Sequence, residues 1–306
     1  MRNTSATAPA GPARTSVTGM ADTVVDCHLQ VWNPQTVHYP WMAAGLARTD
    51  RPWSLDDVRD DLAEQGVHRV VLVQSADNRA DSELMLFQAL TSPVVAGVVA
   101  WVPMARPDEA ASQLHAWRHE PVVGVGHRVH EEEPDWLLRP EVDESLGLLA
   151  ERSLTFDVTA WTSALLGHVV TLAEQHPKVA FVVSRLGRPP LAARACGETG
   201  AWSQWQAWLA TLAQLPNVAL KLTGLGADLA PGWTRADVQP AVDTALETVG
   251  ADRVMLGSDW PTVQVAGGTY AHAWSELRAT LEPLDARERT LVLGGTANRV
   301  YALPLD

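Results

Sequence analysis

From Val24 onward, short apolar runs rich in Val and Leu alternate with longer stretches in which apolar residues recur every three or four positions. The runs predict strands over Val24 to Trp32, Arg69 to Ala76, Val94 to Met104, Val122 to Val129, Leu154 to Trp161, Lys178 to Leu186, Val218 to Gly226 and Arg253 to Trp260. Most are continuously apolar, as expected of strands covered on both faces in a parallel sheet. Between them the helical period predicts helices over Leu55 to Gln65, Asp81 to Leu90, Asp108 to His119, Glu141 to Glu151, Ser163 to His176, Trp202 to Leu215, Thr234 to Val249 and Tyr270 to Leu281. A last short helix is predicted over Glu288 to Leu293. Ser54 ahead of Asp56, and Thr234 ahead of Asp237, are start signals for two of them.

Eight strand–helix units with no Gly-, Ser- or Pro-rich linker inside them predict an α/β fold, a single (β/α)8 TIM barrel over residues 23–306. Residues 1–22, rich in Ala, Pro, Ser and Thr and without an apolar centre, read as a disordered leader, with Met20 an alternative start. In such barrels chemistry gathers at the C-terminal ends of the strands. That rule selects His28 and Gln30, Gln74, His127 and Arg128, Asp157, Ser184 and Arg185, Lys221, and Asp259.

Asp259 closes an apolar run, where burial would raise its pKa and suit it to general-base work, against the plainer reading of a cap or loop acid. His28 and His127 are the candidate imidazoles. A His-x-His pair on a first strand is a common start for a metal site, but the second position here is Gln30, a poor transition-metal ligand. Arg185 suits an anion or oxyanion and repels a cation, or forms a structural ion pair with Asp157 or Asp259. Lys221 stabilises charge or pairs with an acid. His130 and the run Glu131-Glu132-Glu133 read as a solvated loop.

The chain has 13 Trp against 3 Phe and 3 Tyr. Trp32, Trp101, Trp161 and Trp260 fall at predicted strand ends and suggest an aromatic rim for a ring-shaped ligand, to which Tyr39 and Trp41 could add from the loop after the first strand. Trp202, Trp205 and Trp208, three apart, read instead as a packed helical stripe.

A net charge of −13 without a basic block argues against nucleic acid, and no apolar run approaches the roughly 18–20 residues of a membrane span. Only Cys27 and Cys196 occur, which builds no disulfide framework and suits the cytoplasm. The expected partner is a small-molecule substrate, with a homodimer compatible and no cofactor expected.

The order of short motifs resembles the amidohydrolase superfamily, and within it the branch of sugar-lactone and pyrone-dicarboxylate lactone hydrolases. The resemblance runs from about Val24 to Leu303. It is carried by Asp26-Cys27-His28-Leu29-Gln30-Val31-Trp32, Tyr39-Pro40-Trp41, Val73-Gln74, Gly124-Val125-Gly126-His127, Leu137-Leu138-Arg139-Pro140, Leu186-Gly187-Arg188-Pro189-Pro190, Lys221-Leu222-Thr223-Gly224-Leu225, Gly257-Ser258-Asp259-Trp260-Pro261 and Gly294-Gly295-Thr296-Ala297.

The resemblance implies that His28, His127 and Asp259 face a lactone, with Asp259 activating water. Three positions depart from its pattern. Gln30 stands where a second histidine is usual, Ser184-Arg185 where an Asp-His pair is usual, and Gly126 where an arginine precedes the strand-four histidine, with Arg128 two residues on. The missing histidines are metal ligands in the wider superfamily, while some of the lactonase branch works without metal. No catalytic metal is therefore expected. The expected activity is metal-independent opening of a lactone or related cyclic ester with an anionic group. A decarboxylase, dehydratase, cyclase or isomerase on the same barrel is the alternative, as is a catalytically dead binding protein.

Overall fold

The eight apolar runs pair strictly in chain order. In the computed structural model, which describes residues 23–44, 51–265 and 267–304, they are β1 (Val25–Leu29), β2 (Arg69–Val73), β3 (Val95–Ala100), β4 (Val122–His127), β5 (Thr155–Val158), β6 (Phe181–Val183), β7 (Val218–Leu222) and β8 (Val254–Leu256). Neighbours are parallel throughout, in the order β1 to β8. The ring closes beyond the end of β8, where the Asp259 N–H donates to the His28 carbonyl (3.0 Å) and the Gln30 N–H to the Trp260 carbonyl (2.7 Å). The expected TIM barrel is the fold found. The expected leader, residues 1–22, lies outside the described residues.

Alternate strand residues enter two apolar layers, as the two-residue period of a strand requires. Val70, Leu72, Phe156, Val158, Leu220 and Leu222 pack outward with the helices, while Val71, Val73, Val99, Val182, Ala219 and Met255 fill the barrel. The helical stripe of Trp202 and Trp205 is buried in the outer layer with Trp208 packed against it, as its spacing predicted. The barrel's lower end is closed by the C-terminal helix, Thr296–Tyr301, whose Ala297 and Tyr301 join the inner layer.

Most strands are shorter than their apolar runs, because the chain leaves the ladder at the upper rim while still buried. The run expected over Arg253 to Trp260 pairs in register with β7 only as far as Leu256, so Asp259 stands on the segment just beyond β8. The segment expected as one helix from Leu55 is a 3-10 turn (Leu55–Asp57) and a helix (Arg59–Glu64), with Ser54 and Asp57 forming the capping box. The terminal helix does not stop at Leu293: it runs from Ala286–Thr290 through a π-helical turn (Leu291–Gly295) into Thr296–Tyr301. Two successive glycines weaken a helix by propensity, but a Cβ at Gly294 would lie 2.0 Å from the Thr23 carbonyl. Close packing under β1 therefore carries the helix through a sequence that reads as its end. Among the described residues no helix is long and apolar enough to cross a membrane.

Candidate functional site

The upper rim holds a cavity of about 270 Å³. Eleven residues expected at a site line it: His28, Gln30, Trp41, Gln74, His127, Arg128, Asp157, Trp161, Ser184, Arg185 and Asp259. Two features of β1 bring His28 there. Between Asp26 and Leu29 the register against β2 slips by one residue, so β1 carries an extra residue at this point. Cys27 consequently packs in the inner layer while the neighbouring His28 also faces the cavity. Asp26 anchors the bulge: buried, it accepts from the N–H groups of His28 (3.1 Å) and Ser258 (2.9 Å) and from the Tyr270 hydroxyl (3.2 Å). Burial lifts its pKa to about 6.

Asp259 is the centre of the cavity floor. Arg185 Nη2 donates to its Oδ2 at 2.7 Å, and His28 Nε2 stands 3.5 Å from its Oδ1. The pair answers the question left open for Arg185: its partner is Asp259. Burial raises the Asp259 pKa, while Arg185, Lys221 and Arg128 pull it down. The His28 pKa is pushed well below its ordinary value by burial first and then by Lys221 and Arg185, all of which disfavour the imidazolium.

A second pair joins Asp157, at the cavity's edge, to Lys221 beneath it. Lys221 is completely buried, with Nζ 2.7 Å from Asp157 Oδ2 and 3.4 Å from His28 Nδ1. Asp157 also accepts from the Tyr301 hydroxyl (2.6 Å) and Thr155 Oγ1 (2.8 Å). Lys221 thus supports the site from below and does not line the cavity.

Three aromatic residues expected at the rim are core residues. Trp32 is buried edge-on to Trp41 (5.2 Å), Trp260 is buried edge-on to Trp53 (5.4 Å), and Tyr39 donates its hydroxyl to the buried Asp81 (3.0 Å). Trp101 lines a separate surface hollow with Arg106. The reason is common to all: the strand-end rule gives height on the barrel, and only packing decides which way a large ring turns.

His130 was expected in solvent and is not, while Glu132 is exposed as expected but reaches into the site. His130 stacks on Trp161 (3.7 Å, 20°) and lines the cavity, with its pKa lowered to about 4 by burial and nearby guanidinium groups. Glu132 accepts at 2.8 Å from His127 Nε2, a ring stacked on Trp136 (3.9 Å). Asp77, which no sequence signal marked, stands 3.4 Å from the same nitrogen and accepts from the Arg128 N–H. The Arg128 guanidinium turns away from Asp259 to bind Glu131 (2.6 Å). At Gly126, where the resembled pattern has arginine, a Cβ would lie 2.6 Å from Gln74 Oε1, so Gln74 fills that space.

A cation at the strand-end centre would need lone pairs from His28, Gln30 and Asp259. Arg185 already holds Asp259, and the Gln30 amide is engaged, accepting from Thr262 Oγ1 (3.0 Å) and donating to the Gln74 carbonyl (3.4 Å). A metal does not fit there. Asp77, His127 and Glu132 do have donor atoms within 4.8 Å of one another. As a metal ligand through Nε2, however, His127 would carry its proton on Nδ1, which is buried without a partner. With the proton on Nε2 and given to Glu132, Nδ1 is left as a bare lone pair and no buried N–H is orphaned.

The sequence profile of the amidohydrolase family matches residues 25–303. An L-fucono-1,5-lactonase of Burkholderia multivorans is 30% identical, the match covering 92% of this chain and 96% of that protein. An amidohydrolase of Burkholderia multivorans crystallised with HEPES has 27% identity and a TM-score of 0.84, covering 92% of this chain and 100% of the other. A structure of an amidohydrolase of the same organism with bound zinc superposes with a TM-score of 0.82 at 27% identity and the same coverage.

Proposed function

The chain belongs to the amidohydrolase family, and we propose that it is a metal-independent hydrolase that opens a small lactone with Asp259 as general base. The observation that carries this reading is the buried Asp259 carboxylate, held between Arg185 and His28 on the floor of a cavity of monosaccharide size. The similarity to an L-fucono-1,5-lactonase over nearly the whole chain supports the lactone as substrate class.

In this reading Asp259 takes a proton from a water as the water oxygen bonds to the lactone carbonyl carbon. The carbonyl π electrons move to oxygen, and the oxyanion is met by N–H groups of Arg185 or His28. Collapse of the tetrahedral intermediate breaks the ring C–O bond, and the leaving alkoxide takes the proton from Asp259. The products are a hydroxy acid and the resting carboxylate.

Both guanidinium groups on the wall are already paired, Arg185 with Asp259 and Arg128 with Glu131. That pairing favours a neutral polyhydroxylated lactone over the anionic substrate first expected. The test is a panel of neutral sugar lactones and dicarboxylate lactones assayed in ¹⁸O-labelled water. Turnover of the neutral members with solvent oxygen in the new carboxyl, lost in Asp259→Asn, is the expected result. A product without solvent oxygen overturns hydrolysis.

A further inference from the structure

We propose that Lys221 is a positioning residue: from beneath the cavity its ammonium fixes His28 in the tautomer with hydrogen on Nε2, so that the ring presents a donor to the cavity and no lone pair.

The argument starts from what Lys221 can donate and accept. An ammonium carries three donors and no acceptor. Lys221 Nζ is fully buried, 2.7 Å from Asp157 Oδ2 and 3.4 Å from His28 Nδ1. Asp157 receives three donors, from Lys221, the Tyr301 hydroxyl and Thr155 Oγ1, and its contact with Lys221 is a buried ion pair. As the cation of that pair, Lys221 has no lone pair to offer the imidazole. His28 Nδ1 can then meet the ammonium only as a lone pair. A ring whose Nδ1 is bare carries its one proton on Nε2, and the downward direction of its pKa agrees.

Nε2–H points into the cavity, where its contact with Asp259 Oδ1 is long, 3.5 Å, while Arg185 binds the other oxygen at 2.7 Å. The donor is therefore loosely held and available to an oxygen of the substrate. Two consequences follow. His28 has no lone pair with which to deprotonate water, so Asp259 is the base of the pair. A metal ion at this centre also finds a proton where its ligand atom would have to be, a second barrier beside Arg185. Side chains of β5, β7, β1, the β8 exit and the β6 exit form one connected line, Asp157, Lys221, His28, Asp259 and Arg185. The inference concerns the resting protein and stands whether or not the substrate is a lactone.

The experiment is long-range ¹H–¹⁵N correlation on uniformly labelled protein, with the His28 ring assigned by its loss in His28→Gln. In the wild type the His28 Nε2 shift is that of a protonated ring nitrogen and Nδ1 that of a bare one. In Lys221→Met the ring loses this single tautomer, its two ¹⁵N shifts moving toward one another, and in Lys221→Arg, which keeps a cationic donor, the pattern returns toward the wild type. A wild-type spectrum showing hydrogen on Nδ1, or on both nitrogens, overturns the proposal even if neither variant folds. A folded Lys221→Met with unchanged His28 shifts overturns the role of Lys221.

Discussion

Arg185 and Asp259, 74 residues apart in sequence, meet at 2.7 Å through backbones that are both left-handed, with φ of 56° and 61°. Neither is glycine, so each position carries strain that the surrounding packing must hold in place. The ion pair, the cavity floor and the two strained residues coincide.

Gly224, itself at φ +62°, is what makes room for the pair: a Cβ there would lie 2.6 Å from Asp259 Oδ2 and 3.0 Å from Arg185 Nε. Gly224→Ala is expected to lower stability by about 1–2 kcal/mol from the backbone alone, seen as a lower thermal midpoint, and to cut turnover beyond what unfolding accounts for. An active, correctly folded Gly224→Ala would show that the pair can separate without cost to the reaction.

Asp259→Asn keeps the size of the side chain and removes its basicity. We expect kcat/KM to fall by roughly 10²–10⁴-fold, with little change in circular dichroism. Retention of more than a tenth of wild-type activity is incompatible with Asp259 as the base.

With Asp259 as the proposed base, activity is expected to fall as pH drops through its pKa, which burial raises above the ordinary carboxylate value. Arg185 is first among the cations that oppose this rise. Arg185→Met therefore moves the acidic limb of the kcat/KM profile to higher pH as well as lowering the plateau. A limb that stays put or moves to lower pH assigns it to another group.

The stacked rings of His130 and Trp161 form one wall of the cavity, and the Arg188 guanidinium stands 4.6 Å from the Trp161 ring. Trp161→Ala is expected to remove about 1 kcal/mol of ring contact, raising KM roughly fivefold while kcat changes little. A fall confined to kcat would place Trp161 nearer the reacting atoms.

Prolonged dialysis against a strong chelator is expected to leave kcat unchanged. Inactivation restored by zinc would refute the metal-independent reading. Repeating the measurement with Glu132→Gln would then tell whether the ion sits among Asp77, His127 and Glu132 or beside Asp259.

The barrel, its eight units and the level at which Asp259, His28 and Arg185 stand were legible in the sequence, because they follow from period, apolarity and the strand-end rule, all local along the chain. Glu132 and His130 were hidden by the same logic. The three glutamates are exposed, as a charged run suggests, but Trp136 and Trp161 stack on the neighbouring imidazoles and His127 comes within hydrogen-bond reach of Glu132. Trp32 and Trp260 failed in the opposite sense, since a ring at the right height can face the core as readily as the cavity.

By itself the sequence determined the repeating fold and the replacement of imidazole by Gln30 and Arg185 at two positions of the rim. Only the tertiary structure decided what that replacement does. Charges far apart in the chain have no defined interaction until the barrel closes. Once closed, it leaves Asp259 bound to Arg185 and His28 oriented from below by Lys221, with water largely excluded and each short contact correspondingly strong.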